Sequence, residues 1–344
     1  MADSAAAVDG GLWPAFQESG LAMAPFPEAC GGAGLSEGDR QIELFYVLRL
    51  IGAGDLSVAR LVEGHFNAVA LVVRYGTAAQ LSSLASSVAD GALSGVWGAD
   101  DAAGLKIETD NTGARLSGRK ILASGAGTVT RPVVTAKAGE DLLMCLLDLP
   151  ADHAVDLSSW NAQGMRSTAT GAVDLTGIPI GPAEIIGGAG DFMRQPHFSG
   201  GAWRFCAAHL GAMEKLVELF RDHLTSRGRG DDPYQLQRMA QCVAAATTAR
   251  FWIEEAARRL GADDHDPAAV VAFVNLTRMV TERAALDIME AVQRGVGLVS
   301  FIRPNPIERI CRDLSTYLRQ PVPDLAMSDA ARAFLASDTP VGGF

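Results

Sequence analysis

Aromatic side chains are scarce in this chain, at 6% of 344 residues, while charged ones stand at 20%, ordinary for a globular protein. With 48% hydrophobic residues, wholesale disorder is excluded, because there is enough apolar surface to form a core. Few aromatics beside abundant alanine and glycine suit closely packed helices. Positive charge is not in excess either. The net charge of −11 argues against a nucleic-acid partner, since phosphate binding needs a basic surface. The cysteines (Cys30, Cys145, Cys206, Cys242 and Cys311) lie far apart, with no CxxC and no histidine at ligand spacing. A disulfide framework and a metal site are therefore not expected. No basic-then-apolar leader opens the chain, and no apolar run reaches about 18 residues. These absences predict a soluble, cytoplasmic protein without a membrane partner, long enough for two or three domains.

What is present changes character along the chain. Trp13, Phe16 and Leu21 point to one short helix, and PFPEACGGAG at 25–34 to a loop. Over 41–89 the spacing is helical. Ile42, Phe45, Leu48 and Leu50 recur near one face, Gly52 and Gly54 break the run, and Asp55 caps the next helix. That helix carries a stripe from Leu56 through Phe66 to Val72, and Thr77 caps a third helix that ends near Val88. His65 is expected to be a satisfied or surface histidine rather than a ligand.

From about 91 the period falls to two. Leu105, Ile107 and Thr109 alternate, Asn111-Thr112-Gly113 turns the chain, and Ala114, Leu116 and Gly118 alternate back. Segments 133–136 and 142–149 predict a second hairpin, and 173–175 and 178–180 further short strands. The turn spacing is that of a sandwich or barrel. Past Gly200 the helical period returns, with Leu210, Met213, Leu216, Phe220 and Leu224 on one stripe. Pro233 starts a helix over about 232–261, and Asp264 and Asp266-Pro267 open another that runs to about 293. Gly295-Val296-Gly297 then reads as a helix end and turn, or as backbone offered to a flat ligand or a phosphate. Pro304 and Pro306 follow, and a last run carries Ile307, Ile310, Leu314 and Leu318 on one side. The predicted class is α+β. A helical domain spans 1–90, a β-barrel or sandwich 91–195, an antiparallel helical bundle 196–322 and a tail 323–344.

The order of short motifs resembles the acyl-CoA dehydrogenase superfamily from about residue 11 to 320. PEACGGAGL at 27–35 is similar to P-E-x-y-G-G-x-G-L, and RYGTAAQ at 74–80 to Y-G-T-x-x-Q. GRKILASGAG at 118–127 is similar to G-x-K-x-W-I-T/S-N-G, and GMRSTAT at 164–170 to G-M-R-x-S-x-T. RGRGDDP at 227–233 resembles R-x-x-F-G-x-P, and PIERICRD at 306–313 resembles P-x-E-R-x-x-R-D. The resemblance implies an oxidoreductase with FAD held between the β domain and the bundle. It also implies an acyl-CoA or related acyl or carbonyl substrate, a homo-oligomer (commonly a tetramer) and a flavin-type electron acceptor. Ser124 matches the Ser/Thr whose hydroxyl and backbone touch the isoalloxazine. Arg227 matches the arginine that reaches a neighbouring subunit's FAD pyrophosphate, a task suited to a charged fork. Gln293 through Gly297 resembles Q-x-x-G-G-x-G, the segment that approaches a partner subunit's FAD adenosine. Gly295 and Gly297 allow close approach there, and Arg294 stands where one glycine is expected.

The chain departs from the family where proton abstraction is expected. The usual glutamate lies nine residues beyond the arginine of the R-D pair, yet Arg312 and Asp313 are followed at that spacing by Pro321. The alternative base position, early in the first bundle helix, falls near Gly201. No catalytic residue is assigned. The loop T-E-x-x-x-G-S-D is reduced to VWGADDAAG at 96–104, and Gly230-Asp231 replaces the Phe-Gly after the arginine. Asp324 is near the lost glutamate in sequence and is expected to be an exposed tail residue. His197, Arg204 and His209 fall near where the flavin face would be, with His209 expected in the core or an interface. Three readings stay open: acyl-CoA oxidation on FAD, a flavin-dependent monooxygenase of the same fold, and a non-catalytic partner subunit.

Overall fold

The structure, a computed structural model, describes residues 13–111, 113–262, 266–319 and 321–341. Thr112 and Asp264, assigned above to a turn and a helix start, lie outside the described residues. The chain opens with helices α1 (Trp13–Glu18), α2 (Gln41–Gly54), α3 (Leu56–Tyr75) and α4 (Ala78–Ala89). Strands follow: β1 (Leu93–Trp97), β2 (Lys106–Asp110), β3 (Gly113–Ser117), β4 (Arg119–Ala123), β5 (Val129–Ala138) and β6 (Asp141–Leu146). Short strands β7 (Val155–Asp156), β8 (Gly171–Asp174), β9 (Pro179–Ile180) and β10 (Ile185–Ile186) complete the β region. The rest is helical: α5 (His197–Gly200), α6 (Trp203–Ser226), α7 (Pro233–Gly261), α8 (Pro267–Val296), α9 (Pro306–Tyr317) and α10 (Pro323–Leu335). The chain forms two compact units. One takes in the described residues to Arg40, Arg60–Asn161 and Arg166–Arg194. The other takes in Gln41–Ala59, Ala162–Met165 and Gln195 onward.

In the first unit a seven-stranded sheet has the order β10-β6-β5-β2-β3-β9, with β1 also on β5, and a three-stranded sheet has the order β4-β8-β7. Both predicted hairpins are present, β2 against β3 with Ile107 opposite Leu116, and β5 against β6 with Val134 opposite Cys145. The parallel pairings of β1 and β2 with β5 were not predicted. Alternation along a strand reveals which face is buried but not which strand lies alongside. β5 is central, and Val133, Val134 and Ala136 are buried on its two faces.

Local capping chemistry sets the helix starts. Thr77 and Gln80 form a capping box at α4, and Gln80 also donates to the carbonyls of Ala183 and Ile185. α3 is long and apolar enough by composition to cross a membrane, but 67% of that stretch is buried, the pattern of a core helix. His65 on α3 is fully buried. Its Nε2 donates to the Ala22 carbonyl at 2.8 Å, while Nδ1 accepts from the Ser94 amide at 3.2 Å. Burial lowers its pKa to about 4, so it is a neutral, satisfied core histidine as expected.

In the second unit α7 and α8 are long helices connected by a short link, as the bundle prediction required. Asp55 caps α3 by accepting from Ser57 and Val58 amides at 2.8 and 3.1 Å. Two glycine expectations are corrected and one holds. α2 ends at Gly54, as expected, but Gly52 does not break the helix; it lies within α2. A Cβ on Gly52 would sit 2.1 Å from the Ala208 carbonyl oxygen, and one on Gly211 of α6 only 1.9 Å from that of Arg49. α2 and α6 therefore meet backbone to backbone, which groups α2 with the bundle. Gly295 likewise lies inside α8, where a Cβ would come within 2.4 Å of the Phe220 ring. The helix ends instead at Gly297, with φ +82. The tail at 323–344 is also corrected, because residues 323–335 form α10, which packs on α8 with Ala326 and Ala330 buried.

Candidate functional site

Ser124 emerges from an irregular strand. β4 pairs with β8 through Lys120 opposite Val173 and Ala123 opposite Gly171, so β4 holds one extra residue between those pairs. The bulge puts Leu122 at φ +51 with 63% of its surface exposed, an uncommon conformation for a bulky residue. It turns the next residues so that Ser124 follows at the sheet's edge. The Ser124 carbonyl accepts from Trp97 Nε1 at 3.0 Å, and the Gly125 amide donates to Thr168 at 2.8 Å. Thr170 Oγ1 donates to Ser124 Oγ at 3.3 Å and contacts Thr168 Oγ1 at 2.8 Å. Ala169, between the two threonines, has φ +43. Both threonines are buried and Ser124 is half-buried. Because Ser124 accepts from Thr170, that contact does not use the Ser124 proton. Backbone strain at Leu122 and Ala169 beside this row of hydroxyls makes it a candidate site.

The strand itself is anchored by Lys120, which is fully buried. Its Nζ reaches Asp100 at 2.6 Å and Thr135 at 3.0 Å. Burial pulls its pKa down while Asp100 pulls it up.

The remaining expected residues belong to the second unit. Arg227 follows α6, is exposed and has no ion pair among the described residues. Burial, with the charges of Arg227 and Arg229, lowers the pKa of nearby His223. Gln293 is half-buried, its side chain bonded to the Cys311 thiol and its carbonyl to the Gly297 amide at 2.8 Å. Gly295 is occupied by its contact with Phe220, whereas Gly297 is only half-buried. Arg294 pairs with Glu290 at 2.8 Å and lines a groove of about 630 Å³ between α7 and α8, with Arg238, Tyr234 and Gln241 opposite.

Neither base position offers a carboxylate. Pro321 is exposed, and its carbonyl accepts from Arg278 Nη2 at 2.7 Å. At Gly201 a Cβ would sit 2.8 Å from Arg204 Nη1. Asp324 is exposed in the first turn of α10, as expected. Asp313 is buried and already engaged: it accepts from the Met165 amide at 2.6 Å and pairs with Arg309 at 3.4 Å. Burial raises its pKa. His209 is buried in the core, where its ring meets Tyr317 edge-on at 4.5 Å. Arg204 reaches Gln41 at 3.3 Å, and His197 is half-buried at the start of α5. Thr168, Thr170 and Arg278 went unmarked in the sequence reading. Only the GMRSTAT match hinted at the two threonines.

The chain matches the acyl-CoA dehydrogenase N-terminal domain over residues 1–92 and the acyl-CoA dehydrogenase C-terminal domain over residues 188–318. No curated protein matches it. Solved structures of similar fold include FMN-bound TdsC from Paenibacillus sp. A11-2, a dibenzothiophene monooxygenase. That structure is 20% identical at a TM-score of 0.83, covering 95% of this chain and 91% of that one. The methanesulfinate monooxygenase MsuC from Pseudomonas fluorescens is 21% identical at 0.80, covering 95% and 90%. A nitrososynthase from Micromonospora carbonacea var. africana is 19% identical at 0.80, covering 95% and 89%. At these identities the likeness shows a shared fold.

Proposed function

Because the chain belongs to the acyl-CoA dehydrogenase superfamily, we propose that it is a flavin-dependent monooxygenase rather than an acyl-CoA dehydrogenase. One observation carries this reading: Pro321 and Gly201 stand where the family's proton-abstracting carboxylate stands. Dehydrogenation next to a thioester carbonyl needs a base there, and neither residue exchanges protons. The monooxygenase names of TdsC and MsuC support the same choice. A bound reduced flavin supplies the electrons that activate dioxygen. Ser124, whose hydroxyl proton the Thr170 contact does not use, is the residue we assign to the ring edge. Arg227 and the Gln293–Gly297 segment were expected to serve the dinucleotide half of FAD. Arg294 and Gly230-Asp231 are departures in those segments, so we assign FMN as the cofactor, which is also the flavin bound to TdsC. The reading carries a cytoplasmic homo-oligomer and a small organic substrate in place of an acyl thioester.

Gel filtration after incubation with FMN, followed by absorbance, tests the cofactor. One flavin per chain is expected, and Ser124→Val should weaken its binding about tenfold, the worth of one lost hydrogen bond. Oxygen uptake with supplied reduced FMN should then form an oxygenated product. A colourless protein after soaking refutes the flavin reading. Bleaching of bound flavin by acyl-CoA without oxygen restores the dehydrogenase reading.

A further inference from the structure

The peptide that follows Ser124 is held from both sides, and one of its holders has no assigned role. Residues 124–128 form the turn from β4 to β5. Around this turn Ala126 donates to the Ala123 carbonyl at 3.3 Å, while Thr128 and Val129 donate to that of Gly125 at 2.9 and 2.8 Å. The Ser124 carbonyl, between those two, is taken by a side chain 27 residues back, Trp97 Nε1, at 3.0 Å. The amide of the same peptide, on Gly125, donates to the Thr168 carbonyl at 2.8 Å.

A peptide is planar, so bonds to its oxygen and to its N–H grip opposite edges of one plate. The grip matters because glycine comes next. Gly125 stands at φ +74, and a residue without a side chain lets the plate swing about its long axis at little steric cost. Glycine is also required there, because a Cβ would lie 2.8 Å from Val129 Cγ2 and 3.1 Å from Leu61 Cδ2 of α3. The turn cannot be stiffened by a bulkier residue of its own, and the stiffening comes from β1.

Trp97 is suited to that task. It ends β1, is 3% exposed and stands opposite Val134 of the central strand β5. Beside it, among Val129, Leu149, Val155 and Val173, only about 10 Å³ is left, room for a single water at most. The indole is therefore locked by packing, and its N–H stays aimed at one acceptor. Trp97 falls within VWGADDAAG, a segment where the chain leaves the family's pattern, so the resemblance gives it no task.

We propose that Trp97 is a positioning residue for the flavin site: its indole N–H, by holding the Ser124 carbonyl, keeps the Ser124 hydroxyl where the flavin edge meets it. The assignment rests on the flavin reading. A group that meets a ligand needs supporting contacts that hold it to within about 0.5 Å, and this bond is one of them. Trp97→Phe removes the N–H and keeps an aromatic ring. Because Trp97 acts through the hydroxyl, losing its bond costs no more than losing the hydroxyl itself, about tenfold in affinity. Titration of the full-length protein with FMN should show binding about three- to tenfold weaker in Trp97→Phe. In a Ser124→Val background the same substitution should change affinity by no more than about twofold, since no hydroxyl is left to position. A residue that only fills space would cost the same in both backgrounds.

Hydrogen exchange followed by NMR supplies a readout without flavin. In the native protein the Trp97 indole N–H should exchange many-fold more slowly than a free indole. In Trp97→Phe the Gly125 amide should exchange several-fold faster while the amides of α3 keep their rates, which separates a loosened turn from general destabilisation. Equal FMN affinity in native and Trp97→Phe proteins, equal losses in the two backgrounds, a freely exchanging indole, or an unmoved Gly125 amide would each overturn the assignment while leaving the flavin reading in place. Native protein that binds no FMN is a separate result: it refutes the flavin reading, and the assignment falls with it.

Discussion

His65 should impose an acid limit on the stability of the first unit, and glutamine in its place should remove that limit. The ring is buried, with one nitrogen donating to Ala22 and the other accepting from Ser94. Burial holds its pKa near 4 in the fold, against the ordinary 6.5 in the unfolded chain. Above 6.5 both states are neutral and this contribution to stability is complete. As pH falls from 6.5 towards 4, the unfolded chain takes up a proton that the folded one refuses. Stability then drops by about 1.4 kcal/mol per pH unit, roughly 2 kcal/mol by pH 5. Glutamine retains an amide donor and a carbonyl acceptor but does not titrate. His65→Gln should therefore be less stable than the native protein at pH 8, with the gap closing by about 2 kcal/mol at pH 5. Urea unfolding at a series of pH values measures the gap, with the ring of Trp13, 5.5 Å from His65, as a natural fluorescent reporter. His209, pulled down to about 3, titrates in both proteins and cancels from the difference. A gap that stays constant from pH 8 to pH 5 would refute the argument that His65 is held neutral by burial.

Two further outcomes concern packing. Gly211→Ala should lower the urea midpoint by roughly 3 kcal/mol equivalent, because its Cβ would force the helices apart. The gain of about 1 kcal/mol in helix propensity only partly offsets this, so a neutral or stabilising result would mean α2 and α6 are not in backbone contact. Lys120→Ala should cost roughly 3–5 kcal/mol by stranding Asp100 and opening a void. Lys120→Met, which keeps the volume beside a partly hydrated Asp100, should cost distinctly less in the same thermal or urea assay.

The helix starts were legible because they depend on neighbours a few residues away. Asp55, Thr77, Pro233 and Asp266 cap or open helices at the positions their local chemistry indicated. The lost carboxylates at Pro321 and Gly201 were equally legible, since a motif needs only spacing. Glycine was misread. At Gly52 and Gly295 the sequence shows a poor helix former, while the fold shows a helix interior where Ala208 or Phe220 occupies the space of a Cβ. Ser124 was found by resemblance, but the hydrogen bonding at its hydroxyl depends on Thr168 and Thr170, which the chain brings back from 44 and 46 residues away.

The sequence by itself determined the succession of helical and strand segments, their caps and the Pro321 and Gly201 that stand at the family's base positions, because these are properties of short stretches of chain. Only the tertiary structure decided that α2 joins the bundle, that β1 runs parallel to β5, that residues 323–335 form a helix packed on α8, and that His209 meets Tyr317 in the core. Those features arise from side chains and backbones that meet only after the chain has closed on itself, and no local pattern encodes which distant atom will fill a given space.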